Sequence, residues 1–331
     1  MKESVKKVTT LKDIAQRLGV SENTVSRALR NCADIGAETK ERVRRAAREM
    51  NYHPNYIAAY MATGKSNTIA VIISSLLNPF FAVCLEYIFN FLTEKGYNSQ
   101  VIVKRGGKLQ INDILRCVQS GACGILTFLD LEKATVDYCE ENRIPILLCA
   151  NQSQDDRVST VYYDEYRCGK LVAQKALSAG VRRPCYINML GDGDEVNNVN
   201  VGRRRGFVHT LETGGVACDE YVYDYASSDI QKEAERLHAL VKNNDFVFCF
   251  NDEIAAQIKK VCFDLPALHG RIYGVDGITR YLNYSFPMNS VGSDLKMLSQ
   301  RCCQLIIRRI EQNDQKIIRE LFPVELVCVE E

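Results

Sequence analysis

Between Thr10 and Met50 the apolar positions keep a helical rhythm. Leu11, Ile14, Ala15 and Leu18 recur at i, i+3, i+4 and i+7, one stripe of a short helix. Thr10 is a good N-cap for it, and Asp13 at the third helical position can close a capping box. Gly19-Val20 breaks the helix, and Ser21 caps a second one whose Val25, Ala28 and Leu29 face inward. A third helix is predicted over about Glu38 to Met50, with Val43, Ala46, Ala47 and Met50 as its stripe. Two short helices joined by a turn containing glycine form a helix-turn-helix unit.

From Ile69 onward the rhythm changes. Short apolar strands (IAVIISS, SQVIVK, CGILTF, PILLCA) alternate with helices predicted over 80–94, 109–119 and 131–141. A second set follows: CYINML, EYVYD, FVFCF and RIYGV, with helices over 165–178, 201–212, 229–242 and 253–263. Strict βα alternation predicts parallel sheets covered by helices on both faces. Two successive sets predict an α/β body of two doubly wound parallel-sheet lobes behind an all-α head. Ligands of such sheets sit outside the carboxyl ends of the strands, which here means a cleft between lobes. One more helix, 294–312, and a strand bounded by Pro323, VELVCV, complete the pattern.

Composition narrows the class. At 331 residues, 46% hydrophobic and 25% charged, the chain is neither disordered, collagen-like nor a coiled coil. No apolar run approaches the ~18 residues of a membrane span. The start, MKESVKKVTT, has basic residues but no apolar segment after them, so a cytoplasmic protein without membrane partners is expected. The fourteen cysteines are scattered, with no CxxC, and are expected to be reduced core thiols. Charge is uneven: residues 1–60 carry twelve Lys and Arg against seven Asp and Glu, and the remainder carries 30 against 34. A basic head on a slightly acidic body points to a polyanion partner for the head.

The second helix presents Glu22, Asn23, Ser26, Arg27 and Arg30. In a helix-turn-helix this helix enters the major groove. Asn pairs with adenine, Arg with guanine, and Glu accepts from cytosine. Periodicity alone also allows an unrelated three-helix bundle with a polar face. The wording is more specific. TLKDIAQRLGVSENTVSRALRN followed by ETKERVRRAAREMNYHPN resembles the DNA-binding head of the lactose-repressor (LacI/GalR) family. The resemblance implies operator contacts from Thr10, Ser21, Glu22, Asn23, Thr24, Ser26, Arg27, Asn31 and Tyr52. It also implies a hinge helix over NYIAAYMA that folds on operator and contacts it through Asn55, Ala58 and Met61. Two positions depart from the family pattern there: Ala59 replaces an Arg, and Met61 replaces the Leu that wedges between base pairs. Methionine is also able to unstack a base step; packing against a partner hinge is the other reading. Gly36 stands where the family usually places a capping Ser.

The resemblance continues, more weakly, through NPFF (78–81), VYYD (161–164), Arg203-x-x-Gly206-Phe207, Asn251-Asp252 and Gly274-Val-Asp276. The implied body is similar to periplasmic sugar-binding proteins. The implied effector residues are Phe80 and Phe81 as apolar wall, Asn197, Arg203 as a fork of donors, Tyr225 stacking on the ligand, Asn251, and Asp276 as acceptor. Each has a plainer reading as core, surface or turn. Asp252 is expected to cap the helix after Asn251. Ala150-Asn151 stands where many sugar-responsive members carry an Asp, and Val199 where they offer a hydroxyl, so the pocket is altered. Gly191 to Glu195, GDGDE, lacks EF-hand spacing and reads as a solvated turn.

The expectation is a sequence-specific DNA-binding regulator, a repressor, controlled by a small-molecule effector of the sugar type held between the lobes. It binds double-stranded operator DNA as a homodimer and needs no cofactor, metal or catalytic residue. The expected division is a head over 1–54, a hinge and linker over 55–66, and an effector-binding and dimerisation body over 67–331. Within the body, one lobe takes about 67–163 and 292–322, the other about 164–291 and 323–331. The alternatives are an α/β enzyme or a nucleobase-type sensor carrying a DNA-binding head. Against an enzyme, the chain has no GxSxG elbow, Walker loop, GxGxxG or HExxH.

Overall fold

The computed structural model describes residues 9–29, 32, 34–52, 66–189, 198–224, 230–282 and 288–328. The chain divides into two compact units, Met1–Lys65 and Ser66–Glu331.

The first unit contains α1 (Leu11–Leu18), α2 (Glu22–Leu29) and α3 (Ala37–Glu49). Thr10 and Asp13 form the expected capping box on α1. Gly19 takes the left-handed conformation that lets the chain turn into α2. Gly36 caps α3 without a side-chain bond. Helices of eight residues are marginal alone. Their stability comes from the shared core of Ile14, Ala15, Val25, Ala28, Val43, Ala46 and Ala47, all buried.

The second unit contains two six-stranded sheets. The first joins β1 (Thr68–Ile73), β2 (Asn98–Val103), β3 (Ala122–Thr127), β4 (Ile146–Cys149), β5 (Thr160–Tyr163) and β11 (Arg319–Phe322) in the order β2-β1-β3-β4-β5-β11, parallel throughout. The second joins β6 (Pro184–Met189), β7 (Asp219–Tyr223), β8 (Phe246–Cys249), β9 (Ile272–Val275), β10 (Asn289–Gly292) and β12 (Glu325–Val327) in the order β7-β6-β8-β9-β10-β12. Here β12 runs antiparallel to β10, so the expected all-parallel sheet ends in one reversed edge strand. That strand enters the second sheet directly from β11 of the first, after Pro323 and Val324. Three strands escaped the sequence pattern. TVYY (β5), NSVG (β10) and RELF (β11) are four residues each and lack a clean apolar run.

The helices of this unit are α4 (Pro79–Glu94), α5 (Ile111–Gln119), α6 (Lys133–Glu141), α7 (Glu165–Ser178), α8 (Asn198–Thr213), α9 (Ile230–Val241), α10 (Asp252–Val261) and α11 (Leu295–Gln312). The chain passes from one sheet to the other three times: after β5, after β10 and between β11 and β12. The helix after the second passage, α11, packs on α4, β3 and β4 of the first sheet. Its start is tied to the second, because the Leu295 amide donates to the Tyr281 hydroxyl at 2.9 Å. One continuous buried cluster takes in Phe80, Leu126 and Tyr163 on one side and Tyr186, Phe207 and Tyr273 on the other. Among the described residues, no helix is long and apolar enough to cross a membrane.

The closest helix packing is between α7 and α8. A Cβ at Gly206 would overlap the Tyr166 carbonyl, and one at Gly169 would overlap the Arg203 carbonyl. Only glycine permits this approach, which sets Arg203 against the first turn of α7. Gly206→Ala must push the helices apart, an overpacking cost of about 1–3 kcal/mol. Urea unfolding of the variant is expected to show an unfolding free energy lower by that amount, with a lower midpoint; an unchanged midpoint would mean that the two helices are not held at this distance.

Candidate functional site

The head offers a polar surface built on α2. Ser21 accepts from the Thr24 amide at 3.1 Å and so caps the helix. Ser21, Glu22 and Asn23 are exposed, and Thr24, Ser26 and Arg27 are half-buried. This is the face the sequence assigned to base edges. Arg27 is not free: it pairs with Asp34 at 2.7 Å, a contact that raises its pKa, chiefly through the hydrogen bond. Thr10 is exposed at the start of α1, and Tyr52 is half-buried against the head core. Asn31, Asn55, Ala58 and Met61 lie outside the described residues.

In the body, the distinctive feature is a buried guanidinium. Arg203 is 3% exposed. Its Nε donates to Glu165 Oε2, and its Nη2 donates to Glu165 Oε1 at 3.1 Å. Nη1 donates to the Phe250 carbonyl at 2.6 Å, and Nη2 also reaches the Tyr163 hydroxyl at 3.5 Å. Asp276 Oδ1 lies 3.6 Å from Nη2. The Phe250 ring covers the guanidinium at 5.0 Å, a cation–π contact. Burial opposes the charge, but Glu165, Tyr163 and Asp276 together outweigh it, and Arg203 stays protonated. Burial raises the pKa of Glu165, and Arg203 draws it part of the way back. Tyr163 ends β5, Phe250 follows β8 and Asp276 follows β9, so the cluster gathers strand carboxyl ends from both sheets.

The loop bearing Asp276 is fixed from behind. Asp252 is fully buried; its Oδ1 accepts from Ser290 Oγ at 2.6 Å and its Oδ2 from the Ile278 amide at 2.9 Å. The cap of α10 is instead Asn251, whose Oδ1 accepts from the Ile254 amide at 2.9 Å. This reverses the expected roles: Asn251 turns one atom to the helix, and Asp252 clamps the next loop. Asp276 itself has φ 116°, a backbone conformation costly for a residue with a side chain. Ala150, at the end of β4 in the other sheet, also has a positive φ, 56°. Strain of this kind, at strand ends on both sides, is characteristic of ligand sites.

Apolar wall stands at the carboxyl ends of β1 and β3, where the first sheet's strand order reverses. Phe80 and Phe81 meet Phe128 edge-on at 5.9 and 5.4 Å. Phe80 is buried and Phe81 half-buried. A cavity of about 330 Å³ opens beside Glu165, lined also by Asn151, Gln152, Tyr162, Tyr166 and Gly202. Asn197 and Tyr225 lie outside the described residues.

Comparison with known proteins decides the family. Residues 10–55 match the family described as bacterial regulatory proteins, lacI family. Residues 66–286 match periplasmic binding proteins and sugar binding domain of LacI family. The chain belongs to the LacI family. It is therefore a DNA-binding transcriptional regulator and not an enzyme. It is similar to a ribose operon repressor of Lactococcus lactis, 27% identical over 313 residues that make up 91% of each chain. A LacI-family regulator from Silicibacter pomeroyi has the same fold, with TM-score 0.74 at 25% identity over 97% of this chain and 98% of that one. So does a lac repressor dimer bound to operator and an anti-inducer, with TM-score 0.76 at 20% identity over 97% and 98%.

In this LacI-family chain the sequence reading singled out Arg203, Asn251 and Asp276, and the fold brings them together. It missed Glu165 and Phe128, and it gave Asp252 the helix cap that Asn251 forms. Glu165 carried a signal: it opens a helix directly after the VYYD motif, four residues before a glycine that permits close packing. Asp252 affords a test of the loop clamp. Burial pushes its carboxyl up to about 7, against about 3.9 for a free Asp. The folded chain thus holds this proton more tightly than the unfolded chain does. The stabilisation is full below about pH 4 and is lost as pH rises through about 7. Melting temperature is expected to fall between about pH 4 and 7 and to level off above that, and Asp252→Asn to flatten the slope. A wild-type slope retained in the variant would remove Asp252 as its source.

Proposed function

We propose that this regulator is a dimeric repressor whose operator affinity is set by a sugar or sugar derivative bound between the two lobes. The observation that carries this reading is the convergence of Arg203 and Asp276, both buried, with the Phe250–Asn251 turn at the carboxyl ends of strands. A few polar groups in an otherwise apolar cleft are how small-molecule sites fix orientation. Phe80 and Phe81 supply the apolar wall; Asn197 and Tyr225 complete the proposed set. The ribose operon repressor among its relatives supports the ligand class. The proposed division keeps a head over residues 1–54, a hinge over 55–66 and a body over 67–331.

The mechanism is linkage. Effector binding favours one arrangement of the lobes, and that arrangement changes the spacing of two heads on a pseudo-palindromic operator. Couplings of this type are typically ~1–3 kcal/mol. Asp276→Ala is expected to abolish the ligand response while leaving operator binding intact. The measurement is operator affinity with and without sugar, in wild type and variant. A full response in the variant would place the effector elsewhere. In the head, base reading is assigned to Glu22, Asn23 and Arg27, with Arg27 leaving Asp34 on binding. Arg27→Ala is expected to weaken cognate operator binding about tenfold to a hundredfold and to relax one base position. Unchanged affinity in a gel-shift titration would sink that assignment.

A further inference from the structure

Among the described residues Arg203 is the only cation in the cluster, and its bidentate edge is already occupied. The bidentate edge, Nε with Nη2, faces Glu165, and Nη1 serves the Phe250 carbonyl. A carboxylate or phosphate arriving in the cleft would normally claim that edge, because its two parallel donors match two oxygens. Here an acidic side chain holds it. Glu165 is 14% exposed, and the close approach of α7 and α8 sets it against Arg203.

The remaining chemistry is acceptor-rich. Asp252 and Asp276 add two more carboxyl groups to the one on Glu165. Asp252 is satisfied by Ser290 and the Ile278 amide. Asp276, 5% exposed, receives no hydrogen bond among the described residues; its one near partner is Nη2 at 3.6 Å. Its oxygens are left for a hydroxyl or ammonium group of a ligand. An anion would meet three carboxyl groups and a guanidinium already neutralised.

Resting on the cleft as the effector site, we infer that Glu165 is the residue that sets the charge class of the effector. By occupying the Arg203 edge, it excludes ligands with a carboxylate or phosphate there and selects an uncharged or amine-bearing polyhydroxyl compound. Glu165 acts through Arg203, so it is a positioning residue for specificity.

The test uses the full chain and three matched probes: glucose, glucosamine and glucuronate, at equal ionic strength, read by calorimetry and by operator release. Wild type is expected to show no binding of glucuronate above a chloride control. Glu165→Gln frees one fork of Arg203 and is expected to bind glucuronate roughly tenfold or more tighter than wild type does. Arg203→Gln in that background should remove the gain. Glucuronate bound by wild type through Arg203, or no gain in Glu165→Gln, would overturn the inference. Should Glu165→Gln fail to fold, Glu165→Asp, whose shorter side chain retracts from the fork, is read the same way. Asp276→Ala separates the two levels. An acidic ligand whose effect disappears in that variant overturns the charge selection and leaves the cleft standing. A ligand effect that survives in it overturns the cleft itself.

Discussion

The body is organised around the burial of one guanidinium. Taking an ion out of water costs several kcal/mol, and the cost is met only when partners of opposite charge and good geometry surround it. Arg203 finds these partners on α7, β5 and the turns after β8 and β9. No single lobe could supply them, since Tyr163 belongs to the first sheet and the others to the second or its covering helices. The glycines of α7 and α8 place the helices close enough for Glu165 to reach. The Asp252 clamp then holds the Asp276 loop in a conformation that it would not adopt alone. Removing any of these leaves a buried charge without its match.

Under the proposed function, the position of the cluster gives a route for a signal between the lobes. It lies next to the first passage of the chain between sheets, at the junction of β5 and α7. The second passage is tied to the same lobe by Tyr281 and Leu295. A ligand that repositions Asp276 or the Phe250 turn therefore acts on elements that also join the lobes. Packed cores with few alternative arrangements respond to such shifts as units.

Much of this was legible in the chain. The three head helices and most strands follow from apolar spacing, because each long element buries a face of its own. Helix α7 was placed from Glu165 to Ser178, as the structure has it. The short strands β5, β10 and β11 were missed because their strand character comes from neighbours. NSVG is a strand because β9 and β12 pair with it on both sides. At the site, the family resemblance named Arg203, Asn251 and Asp276, and the strand-end positions of Asn251 and Asp276 agreed with it. They could not say which of Asn251 and Asp252 turns to the helix, since both side chains can cap. Nor could they reveal that Glu165 fills the arginine's edge, because that contact depends on how closely two helices approach.

The central claim is that Arg203 and Glu165 are energetically one unit. A double-mutant cycle on the stability of the full chain tests it most directly, using Arg203→Gln, Glu165→Gln and the pair, each followed by urea unfolding. The account predicts that each single change destabilises strongly, that the pair costs little more than either, and that the coupling reaches about 2 kcal/mol. Additive costs, with coupling near zero, would show that the two side chains are neighbours without being partners, and would contradict it.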